Sequence, residues 1–423
     1  MRPIALAWCL CVAAIARGDE SWPQFRGPDG QGHALAGHVP LEFGEGKNVT
    51  WKTPIPGLGW SSPVILGDQI WMTTALDAGH SMRAVCIDRT SGKLRFDVEV
   101  FHIDKPESIN AKNSYASPTP VIEPGRLYVH FGTYGTACLS TKTGGVLWKN
   151  QQLKLDHKEG PGSSPVLYEN FLIVNCDGMD VQYVAALDKH SGKLVWKTDR
   201  TGKLHDNPDF RKAYCTPLLV KFGGREMVVS PGADQVIAYD PRSGAELWKV
   251  RYKGFSNVAR PVFAHGLVYV STDFGKPQLW AIRPDGSGDV TETHVAWRVP
   301  KQACAASSPL VVGDLLYMTT NRGVATCVDA RSGEIRWTER LGGDYSASPL
   351  EADGRIYVFS EQGKVFVLEP GDKYKLLATD QLDGRFMASA AVVDGAMFAR
   401  TETHLYRIEG TPIRVSPLTR PSL

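Results

Sequence analysis

Adjacent cysteines are missing from this chain, and so is any Cys-x-x-Cys. Eight cysteines occur in 423 residues, and six of them stand beyond the first apolar run: Cys86, Cys138, Cys176, Cys215, Cys304 and Cys327. Such spacing points to neither a disulfide framework nor a thiolate metal site. Charge of one sign is also lacking. The formal net charge is +2 and no basic run interleaves with aromatics, so a nucleic-acid partner is not expected. The eleven histidines form no His-Glu-x-x-His and no paired zinc spacing. No Gly-x-Ser-x-Gly elbow occurs, which leaves hydrolase chemistry without support. Sustained 3.6-residue periodicity is absent too, and that argues against a helical fold.

One apolar run exists, Ile4 to Ile15, preceded by Met1-Arg2 and followed by Asp19-Glu20. It is short for a bilayer span, and Ala14-Ile15-Ala16 and Ala16-Arg17-Gly18 offer small residues for cleavage. Residues 1–18 therefore read as an export signal that leaves no transmembrane span once cleaved. Cys9 and Cys11 follow Trp8 and Leu10 rather than small residues, which argues against a lipid anchor.

What the chain has is a repeated hairpin. In Ala185-Ala186-Leu187-Asp188-Lys189-His190-Ser191-Gly192-Lys193-Leu194-Val195-Trp196, Asp188 caps a tight turn, Gly192 supplies the positive φ that closes it, and Trp196 follows on the outgoing strand. The same order returns from Asp88 through Gly92 to Phe96, Ser140 through Gly144 to Trp148, Asp240 through Gly244 to Trp248, and Asp329 through Gly333 to Trp337. Each interval is four residues. A second anchor is a Pro eight residues ahead of an aromatic or aliphatic: Pro63, Pro120, Pro165, Pro261, Pro309 and Pro349, with Pro217 one residue longer and Ala390 in place of a Pro. The starts lie roughly 40 to 57 residues apart, the range of propeller blades. Ser61-Ser62, Ser163-Ser164 and Ser307-Ser308 precede these anchors, and their recurrence marks them as structural. Cys86, Cys138 and Cys327 lie two residues before the turn, where Ala186 and Ala238 stand in other repeats, so they read as small buried filler.

Short strands in sets of four predict an all-β, eight-bladed β-propeller of four-stranded antiparallel blades over residues 49–410. The last unit ends at Tyr406-Arg407-Ile408 without a fourth strand, while the strand around Trp51 is spare. Pairing them closes the ring with the N-terminal strand and protects an open edge. Residues 19–48, rich in Gly and Pro from Trp22 to Gly32, are expected as an irregular arm packed over the domain, and 411–423 as a tail. Insertions at Phe101 to Tyr115, Thr201 to Tyr214 and Arg283 to Trp297 mark where the blades are decorated, and a ligand site is expected on the decorated face.

The hairpin residues Asp188, Gly192 and Trp196, with Trp51, Trp148, Trp248 and Trp337, resemble the tryptophan-docking motif of pyrroloquinoline-quinone-type propeller repeats. The resemblance covers Val49 to Gly410 and implies that each Trp packs between neighbouring blades. The opening from Trp22 to Gly32 looks like that of exported propellers common in planctomycete bacteria. Quinoprotein alcohol dehydrogenases and BamB outer-membrane assembly factors share the repeat, so two activities are implied. One is a non-catalytic scaffold of the periplasm or cell envelope, with no cofactor, acting as a monomer on envelope proteins. The other is a quinone-dependent oxidoreductase of alcohols or sugars, holding pyrroloquinoline quinone and Ca2+. The vicinal cysteine pair that such enzymes place over the cofactor is not found here.

Candidate ligand groups follow from residue type. Asn175, Asp177 and Asp180 offer three oxygen side chains for a hard cation, although turn chemistry alone also accounts for Asn, Asp and Gly there. His205, Asp206 and Tyr214 occupy the most polar insertion, where His205 is a candidate acid–base group and a solvated loop is the alternative. Asn113, Tyr115, Asn257 and Arg260 enter first strands, which line the axis of a propeller. Their amide and guanidinium groups suit an anionic ligand, or are ordinary channel polarity.

Overall fold

The computed structural model describes residues 21–34 and 38–410 of the chain. The expected export signal and the C-terminal tail lie outside the described residues. Among the described residues there are eight sheets, each of four antiparallel strands, and one of them carries a fifth strand. The first blade is Val64–Leu66, Gln69–Leu76, Ser81–Asp88 and Leu94–His102, running from axis to rim. Inner strands are buried on both sides because blades stack face to face, so they are almost continuously apolar: Ile70, Trp71 and Met72 are inaccessible to solvent. Rim strands are largely exposed, and Ile335–Arg340 has no buried residue.

The ring closes as its sequence requires. Val49–Pro54 pairs antiparallel with His404–Ile408 as the rim strand of the eighth blade, with Lys52 opposite Tyr406. Both ends of the chain thus share one sheet. The six later cysteines are all buried and unpaired.

Neighbouring blades meet through the repeated hairpin. Asp188 Oδ1 accepts from the N–H groups of His190 and Ser191 at 3.1 and 2.8 Å, and Gly192 stands at φ 71°. The equivalent Asp88 is held down at about 2, first by the Ser91 N–H. Trp148 of the preceding blade lies against Gly192 and donates its Nε1 to the Lys189 carbonyl at 3.0 Å. Trp196 lies likewise against Gly244 and donates to Pro241 O at 3.2 Å, and Trp51 against Gly92, donating to Arg89 O at 3.2 Å. Trp337 donates to Gly371 O at 3.0 Å. Trp248 is fully buried and Trp297 lies against Gly333, but neither Nε1 meets an acceptor among the described residues. A Cβ added at Gly192 would lie 2.4 Å from Trp148. Gly192→Ala is therefore expected to cost about 1–3 kcal/mol through the left-handed backbone and the displaced ring, read as a lowered midpoint in chemical denaturation.

The third insertion does not decorate the face occupied by the other two. It leaves the third–fourth strand hairpin of blade 5 and sends Gly288–Asp289 alongside the rim strand Glu246–Arg251 of blade 4, in parallel, as a fifth strand. The ion pair Arg251–Asp289 at 2.8 Å fastens it. A rim edge is covered there, which is what an exposed strand edge calls for.

Candidate functional site

In a four-stranded antiparallel blade, links from rim strand to the next inner strand emerge on one face, and the first–second strand hairpins on the other. Phe101 to Tyr115 and Thr201 to Tyr214 are both links of the first kind. They share one face, which is the decorated one.

The axis between the faces is closed by the chain itself. In seven of the eight blades the residue just before the first-strand anchor donates its N–H to the hydroxyl of its counterpart in the next blade, the exception being Thr216, which faces Arg260. Ser62 bonds Thr119, Thr119 bonds Ser164, and Ser164 bonds Thr216, at 2.9 to 3.0 Å. Arg260 bonds Ser308, which bonds Ser348, then Ser389, then Ser62, at 2.9 to 3.1 Å. Arg260 alone in this ring lacks a hydroxyl. Its guanidinium is buried, donating to Pro217 O at 3.2 Å and Phe25 O at 2.6 Å.

Phe25 belongs to the N-terminal arm, which lies inside the axis rather than over the domain. Trp22 exchanges backbone hydrogen bonds with Ile65, Pro23 O accepts from Ile122 N, and Gly32 and Ala34 pair with Glu351. Arg26 donates to the carbonyls of Pro309 and Gln31 at 2.7 and 2.8 Å. These contacts fall on the axial edges of the inner strands of blades 1, 2 and 7 and at the start of blade 6. The arm thereby satisfies edge groups that an open channel would leave to water. Burial pushes the guanidinium pKa down, to about 9 for Arg26 and about 10 for Arg260.

Of the residues expected to line a funnel, the structure joins Tyr214 to Asn257 by a backbone hydrogen bond and ties the others to separate neighbours. Asn257 is buried, its amide donating to Tyr252 Oη and Ser271 O at 3.0 Å each. Tyr214 N bonds Asn257 O at 2.7 Å, and the Tyr214 hydroxyl donates to His157 O. Asn113 ties the first insertion to the link between blades 2 and 3 by donating to Glu159 O at 2.8 Å and Pro161 O at 3.2 Å. Tyr115 donates to Glu107 O and packs over Gly79. His205 and Asp206 are exposed at the rim of the decorated face, with the His205 ring edge-on to Phe210 at 4.8 Å.

The three oxygen side chains expected to form a cation patch are engaged by protein groups. Asn175 and Asp177 do share a face of Phe171–Asp177, as alternate residues of a strand must. Yet both Asp177 oxygens are held by Arg200, at 2.5 and 2.7 Å. Asn175 accepts from Ser230 Oγ at 2.9 Å and donates to Cys215 O at 2.8 Å. Asp180 lies on the exposed turn, accepting from Asp156 N and Val181 N. No group of three or more His, Cys, Asp or Glu among the described residues is arranged to hold a metal ion.

Other side chains give the decorated face its chemistry. Glu361, nearly inaccessible, accepts from Ser346 Oγ at 2.7 Å and from Arg385 at 3.1 Å, and Lys112 reaches it from the first insertion at 3.5 Å. Elsewhere on this face a cavity of about 450 Å³ is lined by Glu107, Thr133, Lys154, Asp156, Lys158 and Asp180. Burial, and then Asp156 and Asp180, raise the Glu107 carboxyl pKa. The Phe210 and Phe255 rings meet at 4.3 Å, Phe274 N bonds Phe255 O at 3.2 Å, and on the same face Leu204 and Phe274 are 39% and 44% exposed. Sequence reasoning missed Glu361 and Phe274, which sit in second–third strand hairpins that look like ordinary turns.

Eight four-stranded blades, a strand exchanged between the chain ends and Trp-on-Gly contacts between blades define a pyrroloquinoline-quinone-type β-propeller. The family profile described as outer membrane protein assembly factor BamB matches residues 45–199, 180–291 and 288–387, and the chain belongs to that family. It is 35% identical over 95 residues to BamB of Burkholderia pseudomallei, covering 22% of this chain and 24% of that protein. It is 22% identical over 264 residues to BamB of Yersinia pestis, covering 50% and 65%. The chain thus spans between a quarter and two thirds of the length of these curated relatives. Among solved structures, BamB from Moraxella catarrhalis superposes with a TM-score of 0.61 at 13% identity, over 85% of this chain and 99% of that one. Quinohemoprotein alcohol dehydrogenase from Comamonas testosteroni superposes with 0.69 at 10% identity, over 93% and 81%. At these identities the two structures share the fold alone. No helix among the described residues is long and apolar enough to cross a membrane.

Proposed function

We propose that this protein is an exported scaffold that binds envelope proteins, among them components of outer-membrane assembly, through its decorated face, without a quinone cofactor. The observation that supports this reading most is the closed axis. Asn257 and Arg260, the groups best suited to a funnel ligand, are engaged by Tyr252, Ser271, Pro217 and Phe25. What the decorated face offers outward includes the exposed apolar side chains Leu204 and Phe274 among charged ones, the mixture found at protein interfaces.

Capture from a cell-envelope extract tests it. Wild-type protein is expected to retain envelope proteins, and a Leu204→Asp, Phe274→Asp double variant to lose most of that capture while keeping its melting temperature. Equal capture by both proteins would remove the decorated face from the proposal. The rival reading is checked on the same preparation with pyrroloquinoline quinone, Ca2+ and a dye acceptor. Stoichiometric cofactor uptake with alcohol oxidation would replace the scaffold reading with an oxidoreductase.

A further inference from the structure

The far end of the arm carries an unusual histidine. His33 Nδ1 lies 3.0 Å from Asp29 Oδ2, and its Nε2 lies 2.7 Å from the Val311 carbonyl of blade 6. A carbonyl has no proton to give, and an ionised carboxylate has none either. Both ring nitrogens can donate at once only in the imidazolium form. A neutral ring would leave one contact facing lone pair against lone pair.

The ring stands where the arm leaves the axis. On one side, Gly32 O accepts from Glu351 N at 2.8 Å and Ala34 N donates to Glu351 O at 2.9 Å, which ties the arm to blade 7. On the other, Gln31 Oε1 accepts from Phe263 N at 2.5 Å, which ties it to blade 5. A cavity of about 410 Å³, lined by Gln31, His33, Phe263, His265, Val311 and Glu351, opens beside the ring. His33 keeps 31% side-chain exposure, so protons reach it without the arm undocking.

We propose that His33 is a proton-operated clasp, fastening the N-terminal arm to blade 6 as imidazolium and slackening when the ring is neutral. The charged groups around it are few. On the arm, Asp29 favours the cation and Arg26 opposes it. In blade 7, Glu351 lines the same cavity. In blade 5, His265 does so with Asp314 of blade 6 as its neighbour at 3.5 Å. Burial pushes the His33 pKa down, but Asp29 and the Val311 carbonyl push it up, and the net displacement is upward.

The sign follows by linkage. A group whose pKa is raised on docking holds the arm most firmly below the free-histidine value of about 6.5, and the hold fades as pH rises through the docked value. The clasp is thus closed in mildly acidic surroundings and open in alkaline ones. It concerns the arm and the opposite face from the protein-binding surface, so it stands whether or not that reading holds.

Hydrogen exchange on the full chain, corrected for intrinsic rates, reads the clasp at the Ala34 amide. In the wild type, protection at this amide is expected to fall severalfold between pH 5.5 and 8.5. In His33→Gln it is expected to be low and flat. Parallel pH profiles in the two proteins would overturn the proposal. Proton NMR of the His33 ring supplies a second reading that does not depend on the variant folding. A titration midpoint above that of an unstructured histidine, falling in Asp29→Asn, supports the clasp. A midpoint at or below the unstructured value would sink it.

Discussion

Arg200→Met is expected to destabilise the propeller by about 3–5 kcal/mol, the usual consequence of stranding one member of a buried ion pair. The Arg200 and Asp177 side chains are each 1% exposed. Their two parallel contacts, at 2.5 and 2.7 Å, form the fork-on-carboxylate arrangement that only arginine makes. Arg200 also donates to Ser230 O at 3.0 Å and Ser230 Oγ at 2.6 Å, which carries the network from blade 3 into blade 4. Gly232 leaves the space, since a Cβ there would lie 2.8 Å from Arg200 Nε. Burial drives the Asp177 carboxyl pKa upward and Arg200 opposes it. Without the guanidinium the carboxylate must either take up a proton or admit water, and both loosen the blade 3–blade 4 contact. The measurement is chemical denaturation of wild type, Arg200→Met, and Arg200→Met combined with Asp177→Leu. The double variant is expected to recover most of the loss, because removing both charges also removes the desolvation they demand. A single variant as stable as the wild type would show that Asp177 has another counter-charge.

The architecture was legible because its signals are local. A turn closed by Asp188 and Gly192, and a Trp four residues on, are fixed by backbone geometry within one hairpin, and their recurrence reveals the blade count. The spare strand at Trp51 and the missing one after Ile408 could be matched by counting. The arm could not be placed the same way. From Trp22 to Gly32 it has no periodicity, and its partners, such as Pro309 for Arg26, lie 283 residues away. Arg260 announces nothing in sequence except that it stands where other blades have Ser or Thr, and that exception is the trace of the arm it holds. Asp177 shows the opposite hazard. Asn175, Asp177 and Asp180 look like ligands because they are oxygen-bearing and close together. Whether they converge depends on where Arg200 lands across the sheet, and register of that kind is not written in composition. The third insertion misled for a similar reason, since its length is visible but the strand edge it covers belongs to another blade.

Trp51→Pro is expected to open the ring. Val49–Pro54 is a rim strand, yet it is the one whose loss separates first blade from last. Trp51 sits opposite Arg407 and lies 6.0 Å from the Phe398 ring, and its Nε1 reaches across to the Arg89 carbonyl of blade 1. Thr53 Oγ1 repeats that bridge at Gly92 O, 2.6 Å away, and Ile55 N bonds Thr403 O at 2.9 Å. Proline removes a ladder donor, fixes φ and deletes the indole, a combined cost of about 3 kcal/mol or more. The exposed edge of His404–Ile408 would then be free, and behind it Leu405, Tyr406 and Ile408 are wholly buried residues that depend on the sheet staying shut. An edge of that kind recruits other chains. The expected result is a melting transition shifted down by many degrees, with soluble oligomers in size-exclusion chromatography, while Lys52→Ala, which leaves the ladder intact, stays monodisperse. If Trp51→Pro instead melts with the wild type, the axial arm, bonded to blades 1 and 7 through Ile65 and Glu351, is enough to hold the circle. Shortening the arm as well would then reveal the failure that the closing strand was expected to cause.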